Sequence, residues 1–185
     1  MMMDIGTFYS MRGTRLNSEQ FSVGPETMRE AMSRWATGVT VVSSLYNGVR
    51  HGMTVSSFTS ISLEPPLVLV SLAKEARTHE LVERSGIFGV TLLDQSQQQI
   101  SDRFAGRTTE DHDRFAGLGT FELTTGAPFL RGGLSFLDCE VVAAREVGDN
   151  TLFIGQVVDL RVEQDGEPLI YYYRGYRRLM RDDPA

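Results

Sequence analysis

Between Gly52 and Leu67 the chain reads Gly-Met-Thr-Val-Ser-Ser-Phe-Thr-Ser-Ile-Ser-Leu-Glu-Pro-Pro-Leu, a strand-like run with two threonines and four serines that stops at two prolines. Hydroxyls at this density can donate and accept hydrogen bonds to a flat heteroaromatic ring or a phosphate ester. Ordinary turns and edge strands use the same residue types, so the run by itself leaves both readings open. A second segment, Ser71-Leu72-Ala73-Lys74-Glu75-Ala76-Arg77-Thr78, sets a hydroxyl at a strand end, two cations, and another hydroxyl at a helix start. Free N–H groups at such a helix start, with the charge of Lys74 or Arg77, can hold a phosphate. The simpler alternative is a loop of solvated charge with Thr78 as a plain cap. A hairpin-like connection would lay the two segments side by side, an arrangement suited to a flavin.

Other chemistries lack their residues. His51, His79 and His112 are isolated from one another, so no metal-ligand spacing is present and none is expected. Neither a G-x-S-x-G nucleophile turn nor a G-x-G-x-x-G or G-x-x-x-x-G-K phosphate fingerprint occurs. The one cysteine, Cys139, sits among Phe136, Leu137, Val141 and Val142 and reads as a buried core thiol. With no disulfide possible, a reducing, cytoplasmic compartment is expected. A net charge of −6 over 185 residues argues against nucleic acid. No apolar run reaches the roughly 18 residues of a membrane span, and the N-terminus lacks the apolar core of a signal peptide.

The elements that must position these residues follow from periodicity. Residues 1–24 read as a flexible, polar arm, and 25–185 as a single domain. Met28, Ala31, Met32 and Trp35 fall on one face of a short helix that starts at Pro25 and ends by Gly38. Thr40–Leu45 and the stretch through Met53 form a hairpin about Asn47-Gly48. Leu67–Leu72 reads as a strand buried on both sides. Thr78 opens a helix to about Arg84, Ile87–Leu93 returns as a strand, and Asp94 with Gln97 caps a helix reaching Phe104. The glycine-rich stretch 105–133 is mostly loop. Strands then follow at 134–145, 151–162 and 169–174, separated by Gly148-Asp149-Asn150 and Asp165-Gly166 turns. Strands dominate without regular strand–helix alternation, so the expected class is mostly β: an antiparallel barrel with accessory helices.

Several segments in this order carry a family likeness. They are Ala36-Thr37-Gly38-Val39-Thr40-Val41-Val42, the run from Gly52 with Pro65-Pro66, Phe88-Gly89-Val90-Thr91-Leu92-Leu93 and Arg103-Phe104-Ala105-Gly106. Cys139-Glu140, Gly148-Asp149-Asn150, Leu152-Phe153-Ile154-Gly155-Gln156-Val157 and Pro168-Leu169-Ile170-Tyr171 continue it. Over about residues 25–179 the chain resembles the flavin reductases with the FMN-binding split β-barrel fold, the small reductase components of two-component flavin-dependent monooxygenases. That resemblance implies NAD(P)H-dependent reduction of FMN or FAD, with NADH or NADPH as co-substrate. It also implies a homodimer that hands reduced flavin to a monooxygenase. It places Thr54, Val55, Ser56 and Ser57 along the flavin ring, Ser71, Lys74, Arg77 and Thr78 at the ribityl phosphate, and Phe104 over the cofactor. Two positions depart from the pattern: Thr91 where many members have Asn, and Asn150 where many have a histidine that approaches the nicotinamide. Asn150 keeps a hydrogen-bonding amide but cannot titrate near neutral pH. Arg174, Tyr176 and Arg177 could bind nucleotide or cover the site. No side chain is assigned a catalytic proton transfer, since hydride transfer belongs to the cofactor. The same barrel also serves flavin-dependent oxidases and non-catalytic FMN-binding proteins, so these remain as alternatives.

Overall fold

The computed structural model describes residues 23–107, 113–163 and 165–179. The expected N-terminal arm and His112 therefore lie outside the described residues, save Val23 and Gly24. Helix α1 spans Pro25–Ser33, followed by β1 (Thr37–Gly38), β2 (Thr40–Tyr46), β3 (Val49–Val55), β4 (Phe58–Leu63) and β5 (Pro66–Ala73). Helix α2 (Arg77–Ser85) leads to β6 (Ile87–Leu92), one 3₁₀ turn (Gln95–Gln97) and α3 (Gln98–Phe104). The remaining strands are β7 (Thr120–Glu122), β8 (Pro128–Leu130), β9 (Ser135–Val147), β10 (Asn150–Val162), β11 (Ile170–Tyr172) and β12 (Gly175–Arg177).

Tight turns set the registers. Asn47 and Gly48 both adopt positive φ, 48° and 75°, the backbone that a two-residue hairpin between twisted strands requires. They pair Tyr46 with Val49. Gly148, at φ 61°, turns β9 into β10 and pairs Val147 with Asn150. Asp94 and Gln97 form the expected capping box: Ser96 N–H donates to Asp94 Oδ1 at 2.8 Å, and Asp94 N–H to Gln97 Oε1 at 3.0 Å.

The main sheet is antiparallel, with strand order β3-β2-β6-β9-β10-β5-β4. Its two edges, β3 and β4, are consecutive in the chain and joined only by Ser56 and Ser57. Those few backbone steps reach at most about 10–11 Å, so the sheet must curl until its edges meet. Among the described residues β3 and β4 form no ladder with each other. The result is a barrel with an open seam, and the hydroxyl-rich run forms that seam. Val42, Val70, Leu72, Phe88, Val90, Cys139 and Phe153 fill the interior. A second cluster of Val39, Val41, Leu93, Phe104, Phe115 and Leu130 fastens α3 to the barrel.

Three sequence expectations need correction. Helix α1 stops at Ser33 rather than running to Gly38; its Met28 is 54% and its Met32 49% exposed, and Trp35, just past its end, is 67% exposed. The helix docks instead through Tyr173, whose N–H donates to Ser33 O at 2.8 Å and whose ring lies 4.4 Å beneath the Arg34 guanidinium carbon. Strand β5 is buried on one face only, alternating Val68, Val70 and Leu72 inward with half-buried Leu67 and Leu69 outward. Thr78 does not cap α2; the cap position is Ala76, with no side-chain cap. Cys139 is fully buried as expected, and burial pushes its thiol up to about 12, which removes it as a nucleophile.

Candidate functional site

The surface beside the seam is a run of linked cavities. The first, of about 340 Å³, lies between β3, the start of α2 and the end of α3; its lining includes His51, Met53, Thr54, Arg77, Thr78, Phe104 and Arg114. Thr54 and Ala105 pass into a second, of about 170 Å³, with Val55, Ser56, Ser101, Arg107, Tyr171 and Tyr176. Ser56 and Tyr171 continue into a third, of about 570 Å³, which α1 and the β11–β12 hairpin wall with Met32, Trp35, Ser57 and Arg174. The cations and the helix start make the first cavity the end suited to an anion.

Local chain requirements build the first cavity. Gly52 is needed where Phe104 and Phe115 cross β3, because a Cβ there would sit 2.9 Å from Phe104 and 3.2 Å from Phe115. These rings meet edge to face at 4.9 Å. Arg114 Nη1 donates to Phe104 O at 2.7 Å and Gly52 O at 3.1 Å, tying β3 to the end of α3. Its neighbour Asp113 accepts from Arg50 Nη2 at 2.8 Å, and that guanidinium holds the Asp113 carboxyl below its usual range. The start of α2 has no side-chain cap on its first N–H groups, and its Ala76, Arg77 and Thr78 line this cavity.

His51 is the titratable centre of this pocket. Its Nδ1 lies 2.8 Å from Thr78 Oγ1. Burial, then the charges of Arg114 and Arg77, push its pKa down from 6.5 to about 4, with Asp113 opposing. At neutral pH the pocket's positive charge is therefore carried by its arginines. A lowered folded-state pKa means that the unfolded chain takes up this proton first. The His51 contribution is thus intact above pH 6.5 and is lost as pH falls from 6.5 towards 4. After discounting for the exposed part of the ring, the loss is roughly 1–2 kcal/mol. Denaturant melts between these pH values should show a shallower decline for His51→Gln than for the wild type.

In the second cavity, Arg107 Nη1 donates to Asp102 Oδ1 at 2.8 Å. The Tyr176 hydroxyl lies 2.8 Å from the same carboxylate oxygen and 2.9 Å from Ser101 Oγ. Burial, with Asp102 adding, raises the Tyr176 pKa, so it stays a phenol. Thr54 Oγ1 donates to Ser101 O at 2.7 Å, which leaves its lone pairs facing outward as acceptors. Ser57 Oγ donates to Ser71 O at 2.7 Å and staples the seam to β5.

Of the residues expected from sequence, the cavities gather Thr54, Val55, Ser56, Ser57, Arg77, Thr78, Phe104, Arg174 and Tyr176. Ser71, Lys74, Thr91 and Asn150 line none of the three. Lys74 Nζ pairs with Glu146 Oε2 at 2.5 Å, and its N–H donates to Asp149 O at 3.0 Å. Asn150 sits opposite Ala73, with Nδ2 donating to Asp149 Oδ1 at 2.8 Å. Thr91 is buried in β6, where Oγ1 accepts from Leu130 N–H at 3.4 Å. Asn150 lies in the seven-stranded sheet, whereas Arg174 and Tyr176 belong to the β11–β12 hairpin of the separate three-stranded sheet, and Asn150 shares neither of the cavities that they line. His51, Arg114, Ser101, Arg107 and Tyr171 were not foreseen. Arg114 is 62 residues from the Gly52 carbonyl it holds, a separation no local pattern reports.

The donor set fits a flavin nucleotide. A helix start and two guanidinium groups suit a phosphate, Met53 and Phe104 offer apolar walls, and the seam offers hydroxyls and backbone groups. Among the described residues no group of three or more His, Cys, Asp or Glu is placed to hold a metal. No helix among them is long and apolar enough to cross a membrane.

Residues 32–180 match the flavin reductase like domain. An NADH-dependent flavin reductase of a Rhodococcus species is 39% identical over 169 residues, covering 88% of this chain and 92% of that protein. The reductase component of 4-hydroxyphenylacetate 3-monooxygenase from Thermus thermophilus is 37% identical, covering 84% and 97%. Among solved structures, the NADH:FAD oxidoreductase of Streptomyces globisporus, in complex with NAD and FAD fragments, superposes with a TM-score of 0.80. It is 31% identical, covering 88% of this chain and 98% of that one. With the family match over residues 32–180 and 39% identity to a relative across 88% of the chain, the protein belongs to the flavin reductase like family.

Proposed function

We propose that the protein is an NAD(P)H:flavin oxidoreductase that reduces FMN or FAD and supplies reduced flavin to a partner monooxygenase. The observation that carries this reading is one groove joining a cationic pocket at a helix start to the hydroxyl-rich seam. Bound flavin would supply the redox chemistry, taking a hydride from the nicotinamide. The chain binds and orients. Arg77, Arg114 and the start of α2 would hold the flavin phosphate. Ser56 and Thr54 would offer hydrogen bonds to the flavin ring, and Phe104 with Met53 would exclude water from it. Arg107, Tyr171, Tyr176 and Arg174 line the continuation of the groove and are the residues we assign to the nicotinamide nucleotide. No group with a pKa tuned for proton transfer is required.

The working unit is a homodimer in the cytoplasm, made of one domain beginning near Pro25. In support, apolar side chains are uncovered on α1, on β4 (Ile61 46%, Leu63 89%) and on β10 (Leu160 58%, Val162 63%). Trp35 and Met32 wall the third cavity, so a second copy seated there would narrow the groove. Leu160→Arg should shift the species seen by light scattering to monomer mass and weaken FMN binding at least tenfold. A wild type that runs as a monomer would contradict the dimer.

The activity is tested by NADH and NADPH consumption in the presence of FMN, FAD or riboflavin. Turnover above the uncatalysed mixture supports the reading. Flavin binding without nucleotide oxidation would move the protein to the flavin-binding class, and flavin-dependent oxygen uptake on an organic amine or alcohol without NADH to the oxidases.

A further inference from the structure

We propose that His51 is a protonatable anchor for the phosphate of the bound flavin, so that phosphate binding is coupled to uptake of a proton by its imidazole. The inference rests on the flavin-site reading above and deepens it.

The geometry carries the argument. His51 lines the first cavity together with Arg77, Thr78 and Arg114. Thr78 Oγ1 holds Nδ1 at 2.8 Å, which fixes the ring plane and leaves Nε2 as the nitrogen available to a ligand. Thr78 itself is fully buried, so its hydroxyl serves the imidazole rather than the ligand. Sequence reading set Thr78 beside Ser71, Lys74 and Arg77 at the phosphate; in this proposal Thr78 acts there by orienting His51.

The surrounding charges explain why coupling follows. From α2 the group facing the ring is Arg77; from the segment after α3 they are Arg114 and Asp113. On its own strand Arg50 is engaged by Asp113, and β2 presents only Ser44 opposite. Without an anion, two guanidinium groups and burial favour neutral imidazole. A phosphate dianion seated among them reverses the sign of the local field, and the protonated ring then gains a charge-assisted hydrogen bond. If the bound-state pKa returns to about 6.5, the ordinary value for histidine, His51 adds about tenfold to FMN affinity at pH 5.5 and almost nothing at pH 7.5.

The experiment is an NMR pH titration of the His51 ring nitrogens in the full-length protein, alone and with FMN, riboflavin, inorganic phosphate or NADH. Flavin binding is followed in parallel by quenching of flavin fluorescence. The expected result is a His51 pKa raised by two units or more with FMN, partly raised with phosphate, and unmoved by riboflavin or NADH. His51→Gln should remove the extra tenfold affinity at pH 5.5. A pKa unmoved while fluorescence reports bound FMN would overturn this inference and leave the flavin site standing. An NADH-induced shift equal to that of FMN would assign the pocket to the nicotinamide nucleotide instead. If no flavin binds, the inference falls together with the site.

Discussion

Replacing Arg77 and Arg114 together with glutamine will weaken FMN binding by about a hundredfold or more while changing riboflavin affinity by less than about threefold. Each guanidinium offers the phosphate a charge-assisted hydrogen bond, worth about 1.5–3 kcal/mol, and every 1.4 kcal/mol is a factor of ten. The two single variants differ in kind. Arg77 is exposed, so Arg77→Gln should cost about tenfold in FMN affinity with little change in melting temperature. Arg114 also serves the carbonyls of Phe104 and Gly52, so Arg114→Gln should lose about 1–3 kcal/mol of stability as well. Titration calorimetry with both flavins, beside thermal melts, checks this. An equal loss of FMN and riboflavin would show that the arginines shape the cavity without touching phosphate.

Gly155→Val will prevent the barrel from closing properly, with a loss of at least about 3 kcal/mol. Gly155 lies at a register shift in β10, and a Cβ there would stand 2.4 Å from Phe88 Cζ and 3.0 Å from Cys139 Cβ. Phe88 is fully buried and cannot move aside. Overpacking of a tight core by even one methyl costs about 1–3 kcal/mol, and valine adds two more carbons. Urea unfolding should find Gly155→Ala measurably destabilised and Gly155→Val insoluble or molten. Wild-type stability in Gly155→Val would mean that Phe88 is not packed against β10 as described.

The contrast between Gly155 and Arg114 shows where the sequence is readable. Local signals were legible: Asn47-Gly48, Gly148 and the Asp94–Gln97 box each act within a few residues, and each forms as its chemistry dictates. The alternation and turn spacing of the last third likewise gave β9 and β10 to within two residues. The hydroxyl run was legible as a strand-like stretch because it is contiguous, but not that its Ser56 and Ser57 join the two edges of the sheet. Long-range neighbours were not legible. His51 reads as an isolated histidine until α2 brings Thr78 and Arg77 to it, and Arg114 as one arginine in a loop. Lys74 stood out as the single lysine, yet Glu146 on the β9–β10 hairpin occupies its ammonium. The helical periodicity of Met28, Met32 and Trp35 marked an apolar face correctly but could not show that the face remains uncovered in one chain. Leu67 and Leu69 misled for the same reason, since an outward apolar residue looks the same whether its own chain or another copy covers it.

The central claim is that this groove binds flavin and presents it to a reduced nicotinamide. It is tested most directly by mixing the purified protein with stoichiometric FMN under anaerobic conditions, adding NADH, and following the visible absorbance of the flavin. The account predicts rapid bleaching, far faster than that of free FMN with NADH, with Asn150 no obstacle to hydride transfer. A flavin that binds yet stays yellow with both NADH and NADPH would contradict it.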